Sequence, residues 1–143
     1  MANEFIFVYG TLRQRARHPI HRQLRVHAEW HDEAQMQGCL FEVAGYPGAI
    51  ESPDPNHRVK GELYRIVNGR RLLALLDDYE ECSGKFPEPY EYHRKLVTIR
   101  TSRGDTVSAW AYIYQKQTTQ LRKIPDGDYL RFLHQQSFGK HQN

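Results

Sequence analysis

The sequence predicts an α+β protein, on three observations. Strand-like runs of aromatic and β-branched residues at 4–9, 36–43, 59–66, 90–101 and 106–115 far outweigh its helical stretches. One segment, 70–80, carries apolar residues at three- and four-residue spacing and is the clearest helix of the chain. In the run at 106–115, Trp110, Tyr112 and Tyr114 alternate with Ala109, Ala111 and Ile113, so both faces are apolar and the strand is central in its sheet or lines a closed barrel.

At 143 residues the chain suits one domain, long enough to bury a core. A 39% hydrophobic and 26% charged composition is that of an ordinary globular protein. There is no apolar run of the roughly 20 residues that a membrane helix needs, nor a basic segment leading into a hydrophobic one, so a cytoplasmic protein without membrane association is expected. Cys39 and Cys82 are too few for a disulfide framework and are read as reduced. A net charge of +3 mildly favours anionic small molecules and does not by itself argue for nucleic acid.

In order along the chain, the first strand, Glu4-Phe5-Ile6-Phe7-Val8-Tyr9, stops at Gly10. A glycine there lets the chain turn at positive φ and present consecutive backbone N–H groups on one concave side, an arrangement that binds anions. Ile20, Leu24 and His27 fit one face of a short helix. Arg13, Arg15, Arg17, Arg22 and Arg25 form the densest basic patch, read either as a solvated rim beside an anionic substrate or as an RNA surface. Few aromatics interleave with these arginines, which weighs against RNA.

Residues 36–43 form a strand, Gly45-Tyr46-Pro47-Gly48 a turn, and Ala49-Ile50 the return, followed by a Pro-rich loop at 52–56 and an alternating strand at 59–66. Gly38 and Gly61 suggest close backbone approach or bulges in a curved sheet. Asn68 caps the helix at 70–80, whose apolar stripe is Leu72, Leu73, Leu76 and Tyr79. Asp77, Asp78, Glu80 and Glu81 crowd its C-terminal end, where the helix dipole disfavours negative charge. A proline-bearing loop at 82–89 is placed to fold over a pocket. Strands at 90–101 and 106–115 are joined by the hairpin connection Ser102-Arg103-Gly104-Asp105. Asp128 caps a short last helix, 129–136, and residues 139–143 read as frayed.

Tyr9-Gly10-Thr11-Leu12-Arg13 at the end of the first strand, Leu76-Asp77-Asp78-Tyr79-Glu80 at the helix end and Tyr92-His93-Arg94 opening a later strand together resemble the gamma-glutamylcyclotransferase-like family, over residues 5 to about 114. The resemblance implies a small curved mixed β-barrel with a few flanking helices, the 70–80 helix lying at one mouth. It implies an enzyme that needs no cofactor. The α-amino group of a gamma-glutamyl amine, amide or peptide attacks its own γ-carbonyl, closing 5-oxoproline and expelling a free amine.

Glu80 is then the catalytic acid-base, since it follows Leu-Asp-x-Tyr, and partial desolvation at the barrel mouth raises its pKa toward neutrality. The family commonly has glycine at the next position, occupied here by Glu81, which ranks second as the inward-pointing glutamate. Gly10, Thr11 and Leu12 are expected to hold the substrate through their amides, with Arg13 beside them. Tyr9 is expected at the pocket floor, and Tyr92, Arg94 and Tyr114 on its wall. Arg94 has a second reading, as the cation that neutralises the acidic helix end.

Other chemistries find little support. His27 and His31 lack a third ligand and the H-E-x-x-H order of a zinc site, and Cys82 has only His93 near it as a base. A non-catalytic protein that binds a small carboxylate remains an open alternative, as does, more remotely, an RNA-associated one.

Overall fold

The computed structural model describes residues 4–10, 12–13 and 19–141, apart from the side chains of 137–141. Its elements are β1 (Phe5–Val8), α1 (Ile20–His27), β2 (Ala28–Glu42), β3 (Pro47–Glu51), β4 (Arg58–Ile66), α2 (Gly69–Tyr79), β5 (Tyr92–Thr101), β6 (Thr106–Tyr114), β7 (Arg122–Ile124) and α3 (Tyr129–His141). Five strands close a mixed barrel in the order β2-β4-β1-β6-β5, with β5 returning to β2. The β1–β6 pair is parallel, with Ile6 opposite Trp110, and the other pairs of the ring are antiparallel. The ring encloses the period-2 alternation of its strands: Phe7 and Tyr9 point into a core with Leu63, Ile99, Ala109, Ala111 and Ile113. Ile6 and Val8 point outward, under Leu24 of α1 and Leu72 and Leu76 of α2. Both faces of β1 are therefore buried, which is why its sequence is an unbroken apolar run.

Close approach explains the two glycines of the curved wall. A Cβ on Gly61 would lie 2.4 Å from the Val8 carbonyl oxygen, and one on Gly38 would lie 2.3 Å from that of Ile50. The Asn68 side chain accepts from Arg71 N and starts α2 as its sequence predicts. Asp128 Oδ1 accepts from Arg131 N at 3.3 Å at the start of α3, which continues to His141 rather than fraying from 139.

The structure departs from the sequence reading at β2, which begins at Ala28 rather than near Met36. Glu29-Trp30-His31-Asp32-Glu33 has no strand-like alternation; its pairing with β4, with a bulge between Trp30 and Asp32, holds it extended. The upper part of β2 also pairs with β3 and with the three-residue β7, a strand too short and polar to have been foreseen. Among the described residues, no helix is long and apolar enough to cross a membrane.

Candidate active site

The acidic end of α2 is the starting point, because four carboxylates in five positions cannot all face one place. Asp77 accepts from Arg94 Nε at 3.0 Å, from Arg94 Nη2 at 3.3 Å and from the Tyr112 hydroxyl at 2.7 Å. Asp78 pairs with Lys85 at 3.1 Å, and hydrogen bonds from Ser83 and Lys85 hold its carboxyl below the usual range. The helix then ends in a Schellman turn: Glu81 N donates to Asp78 O at 3.1 Å and Cys82 N to Asp77 O at 2.9 Å. Glu81 takes the left-handed position of that turn at φ 57, the one non-glycine residue at positive φ among those described. The turn carries Glu80 and Glu81 to the wall of a cavity.

That cavity, of about 490 Å3, is bounded by Val8, Tyr9, Gly10 and Leu12 from the end of β1, by Glu80 and Glu81 from the end of α2, and by Glu91 and Tyr92 from the start of β5. Phe86, Pro87 and Pro89 of the 82–89 loop cover one side. Glu80 keeps some solvent contact through the cavity while protein atoms surround its carboxyl. Burial first, then the charges of Glu91 and Glu81, push its pKa from the ordinary 4.5 up to about 7. A carboxylate poised there can accept a proton and return it near neutral pH.

The neighbours of Glu80 are held neutral and fixed. Tyr9 donates to the Tyr112 carbonyl at 2.5 Å and accepts from Ala49 N at 3.3 Å, and burial followed by the Glu80 charge keeps its phenol protonated. Tyr92 donates to the Pro47 carbonyl, and burial raises its pKa well above that of a free phenol. Burial and the charges of Asp77 and Glu80 push the Cys82 thiol up to about 11, which leaves it a poor nucleophile.

The structure thus brings Tyr9, Gly10, Leu12, Glu80 and Tyr92 to one cavity; Thr11 lies outside the described residues. Gly10 does not adopt positive φ, contrary to the sequence reading. Its constraint is proximity, since a Cβ there would lie 2.8 Å from Pro47 Cγ. The chain turns instead through a bond from Arg13 N to Gly10 O at 3.0 Å.

Three expected site residues, Arg13 from the turn and Arg94 and Tyr114 from the wall, lie elsewhere. Arg13 is withdrawn into ion pairs with Asp128 at 3.0 Å and Glu62 at 3.8 Å, which also removes it from the basic surface patch; Arg15 and Arg17 of that patch lie outside the described residues. Arg94 follows its second reading, neutralising Asp77 while its guanidinium lies 4.5 Å from the centre of the Trp110 ring. Tyr114 does not reach the cavity and supports Tyr92 edge-to-face, at 5.5 Å between ring centres.

Sequence reasoning missed Glu91, Tyr46 and Lys116. Glu91 acts on Glu80 and forms a hydrogen bond with Tyr46. The signal was available in Pro89-Tyr90-Glu91-Tyr92, where an acid stands among aromatics immediately before the Tyr-x-Arg motif. Lys116 follows the last residues of β6 and is the one cation in the lining among the described residues.

A family model described as gamma-glutamyl cyclotransferase, AIG2-like, matches residues 6–131. The gamma-glutamylcyclotransferase family protein YtfP of Escherichia coli (strain K12) is 38% identical over 132 residues, covering 87% of this chain and 95% of that protein. The solution NMR structure of ytfP from Escherichia coli matches with a TM-score of 0.58 at 32% identity, over 88% of this chain and 96% of that one. The crystal structure of an AIG2-like protein from Mus musculus shares the fold, with a TM-score of 0.62 at 24% identity over 84% of this chain and 82% of that one. With the closed mixed barrel and a glutamate from the end of α2 meeting the end of β1 in one cavity, these matches lead to one conclusion: the chain belongs to the AIG2-like gamma-glutamyl cyclotransferase family.

Proposed function

We propose that the protein cyclises a small gamma-glutamyl amine, amide or peptide to 5-oxoproline. The observation that carries this reading is Glu80, a carboxyl with its pKa raised to about 7, in the wall of a cavity whose opposite boundary is the turn after β1. Glu80 takes a proton from the substrate α-ammonium, and the freed amine attacks the γ-carbonyl. As the new C–N bond forms, the attacking nitrogen sheds a second proton to become the lactam N–H; the leaving nitrogen takes up one proton from Glu80 as the old C–N bond breaks and the other through solvent, and departs as an ammonium. Backbone amides around Gly10 to Leu12 hold the α-carboxylate, and Tyr9 and Tyr92, fixed by their own hydrogen bonds, shape the floor and wall.

Among the described residues the lining offers Glu80, Glu81 and Glu91 against the single cation Lys116, which favours a neutral or cationic leaving group over one that brings further carboxylates. Nucleophile and electrophile share one molecule, so folding the substrate supplies much of the rate and proton transfer a further factor of about 10² to 10⁴.

The test is 5-oxoproline release from a panel of gamma-glutamyl compounds by the native chain and by Glu80→Gln. Release by the native chain that falls at least about a hundredfold in the variant is expected. Binding of gamma-glutamyl compounds without release, equal in both proteins, would favour the binding-module reading.

A further inference from the structure

A second cavity, of about 630 Å3, shares no lining residue with the first. It lies at the seam where the barrel closes: Ala34 of β2 is in register with Gly61 of β4 on one side and with Thr101 of β5 on the other. Four cations, Arg13, Arg58, Lys60 and Arg100, line it against two carboxylates, Glu33 and Asp128.

Some of that charge is committed. Arg13 pairs with Asp128, and Arg58 donates to Gln35 Oε1 at 3.0 Å. The rest is not. Lys60 acts on Asp128 through charge alone, and the Arg100 side chain is engaged in no hydrogen bond or ion pair among the described residues. One buried side-chain atom of this wall, Thr101 Oγ1, lacks a hydrogen-bond partner among those residues, whereas Arg13 Nε, also without a hydrogen bond, faces Glu62 at 3.8 Å. Arg13 is 8% exposed and Thr101 7%. Buried polar atoms in folded proteins are ordinarily bonded to protein, solvent or ligand, so the Thr101 hydroxyl, in a wall that also carries uncommitted cations, marks a place for a polar anionic guest.

We propose that this seam binds a small phosphate-bearing anion. Lys60 and Arg100 are its direct contacts, while Arg13, committed to Asp128 and Glu62, stays a structural part of the wall. Lys60 of β4 and Arg100 of β5 are each in register with Gln35 of β2 and so stand on either side of it, which suits an anion with several acceptor oxygens spread over more than one face. The volume is that of a small-molecule site. Among the described residues no aromatic side chain lines it, so it lacks the stacking platform on which proteins hold unpaired bases, and a single-stranded RNA fits it poorly. The proposal stands independently of the cyclisation chemistry.

The test is an amide NMR titration with inorganic phosphate and with pyrophosphate, at constant ionic strength set by chloride. Saturable shifts are expected at residues 58–61 and 100–104, with pyrophosphate the tighter of the two. Lys60→Ala combined with Arg100→Ala should weaken both at least about tenfold, whereas Lys60→Arg should retain binding within a few-fold. Arg100 is exposed and Lys60 only half-buried, so the variants should fold; Arg100→Gln alone provides a milder substitution for the same measurement. Equal titrations in native and doubly substituted protein, or shifts scattered without saturation, would overturn the proposal. So would tighter binding of a single-stranded RNA at the same residues.

Discussion

Glu81 holds Glu80 in place by adopting a conformation that glycine would adopt more easily. At φ 57 it occupies the left-handed position of the turn ending α2, and its backbone N–H bonds Asp78 O at 3.1 Å. The left-handed backbone costs a non-glycine residue about 1–2 kcal/mol, part of which glycine would give back through its greater freedom in the unfolded chain. Glu81→Gly should therefore stabilise the fold by about 0.5–1 kcal/mol, read as a raised denaturation midpoint with an unchanged slope. It also removes one of the charges that raise the Glu80 pKa, so the acid limb of the rate profile should move to lower pH. Glu81→Gln separates the two effects, since it should shift the limb without stabilising the fold.

Raising the pKa of Glu80 from 4.5 to about 7 makes the folded state hold that proton more tightly than the unfolded chain does. The sign follows: this contribution favours the fold below about pH 4.5, declines as pH rises, and is lost above about pH 7, where the carboxylate is charged in both states. At about 1.4 kcal/mol per unit, the charged carboxyl costs the fold on the order of 3–4 kcal/mol. Glu80→Gln, which cannot ionise, should match the native stability near pH 4 and exceed it by about that amount at pH 8. Denaturant unfolding at the two pH values measures it, and a constant difference would mean that Glu80 is not desolvated.

How much of this was legible in the sequence depends on whether local or distant residues set each feature. The α2 helix declared itself through Asn68 and its leucine spacing, and β6 through apolar residues on both faces, because each pattern is local. β2 upstream of Met36 did not, since its polar half is extended only by pairing with β4, and β7 is defined wholly by pairing with β2. The site divides in the same way. Glu80 was found from its motif, but Arg13 and Arg94 are cations whose partners, Asp128 and Asp77, lie 115 and 17 residues away, and nothing local could show that those acids would take them from the cavity. Glu81 in place of glycine was visible as an oddity, and the left-handed turn supplies its physical meaning.

Gly10 should tolerate no side chain. The Cβ of alanine would fall 2.8 Å from Pro47 Cγ, and Pro47 cannot retreat easily: as the first residue of β3 it pairs with Glu42 of β2, and its carbonyl accepts from Tyr92. Overpacking of this kind costs about 1–3 kcal/mol. Gly10→Ala should lower the denaturation midpoint accordingly, and kcat/KM for a gamma-glutamyl substrate should fall further than stability alone explains, because the turn after β1 bounds the cavity. Native kcat/KM in a destabilised variant would show that this turn does not position substrate.

The Asp77–Arg94 pair predicts the opposite division between stability and activity. Asp77 receives three hydrogen bonds, from Arg94 Nε, Arg94 Nη2 and the Tyr112 hydroxyl. Asn in its place keeps one acceptor oxygen and turns an amide N–H toward a donor. The pair is partly hydrated, with side-chain exposures of 26% for Arg94 and 22% for Asp77, so the loss is smaller than for a fully buried pair. Asp77→Asn should cost about 1.5–3 kcal/mol of stability. Arg94→Lys should cost about 1 kcal/mol, since lysine keeps the charge but loses the two-pronged geometry over Trp110. Neither should change KM for a gamma-glutamyl substrate appreciably, because both residues line a different hollow from Glu80. A tenfold rise in KM for Arg94→Lys at native kcat would return that arginine to the substrate's surroundings.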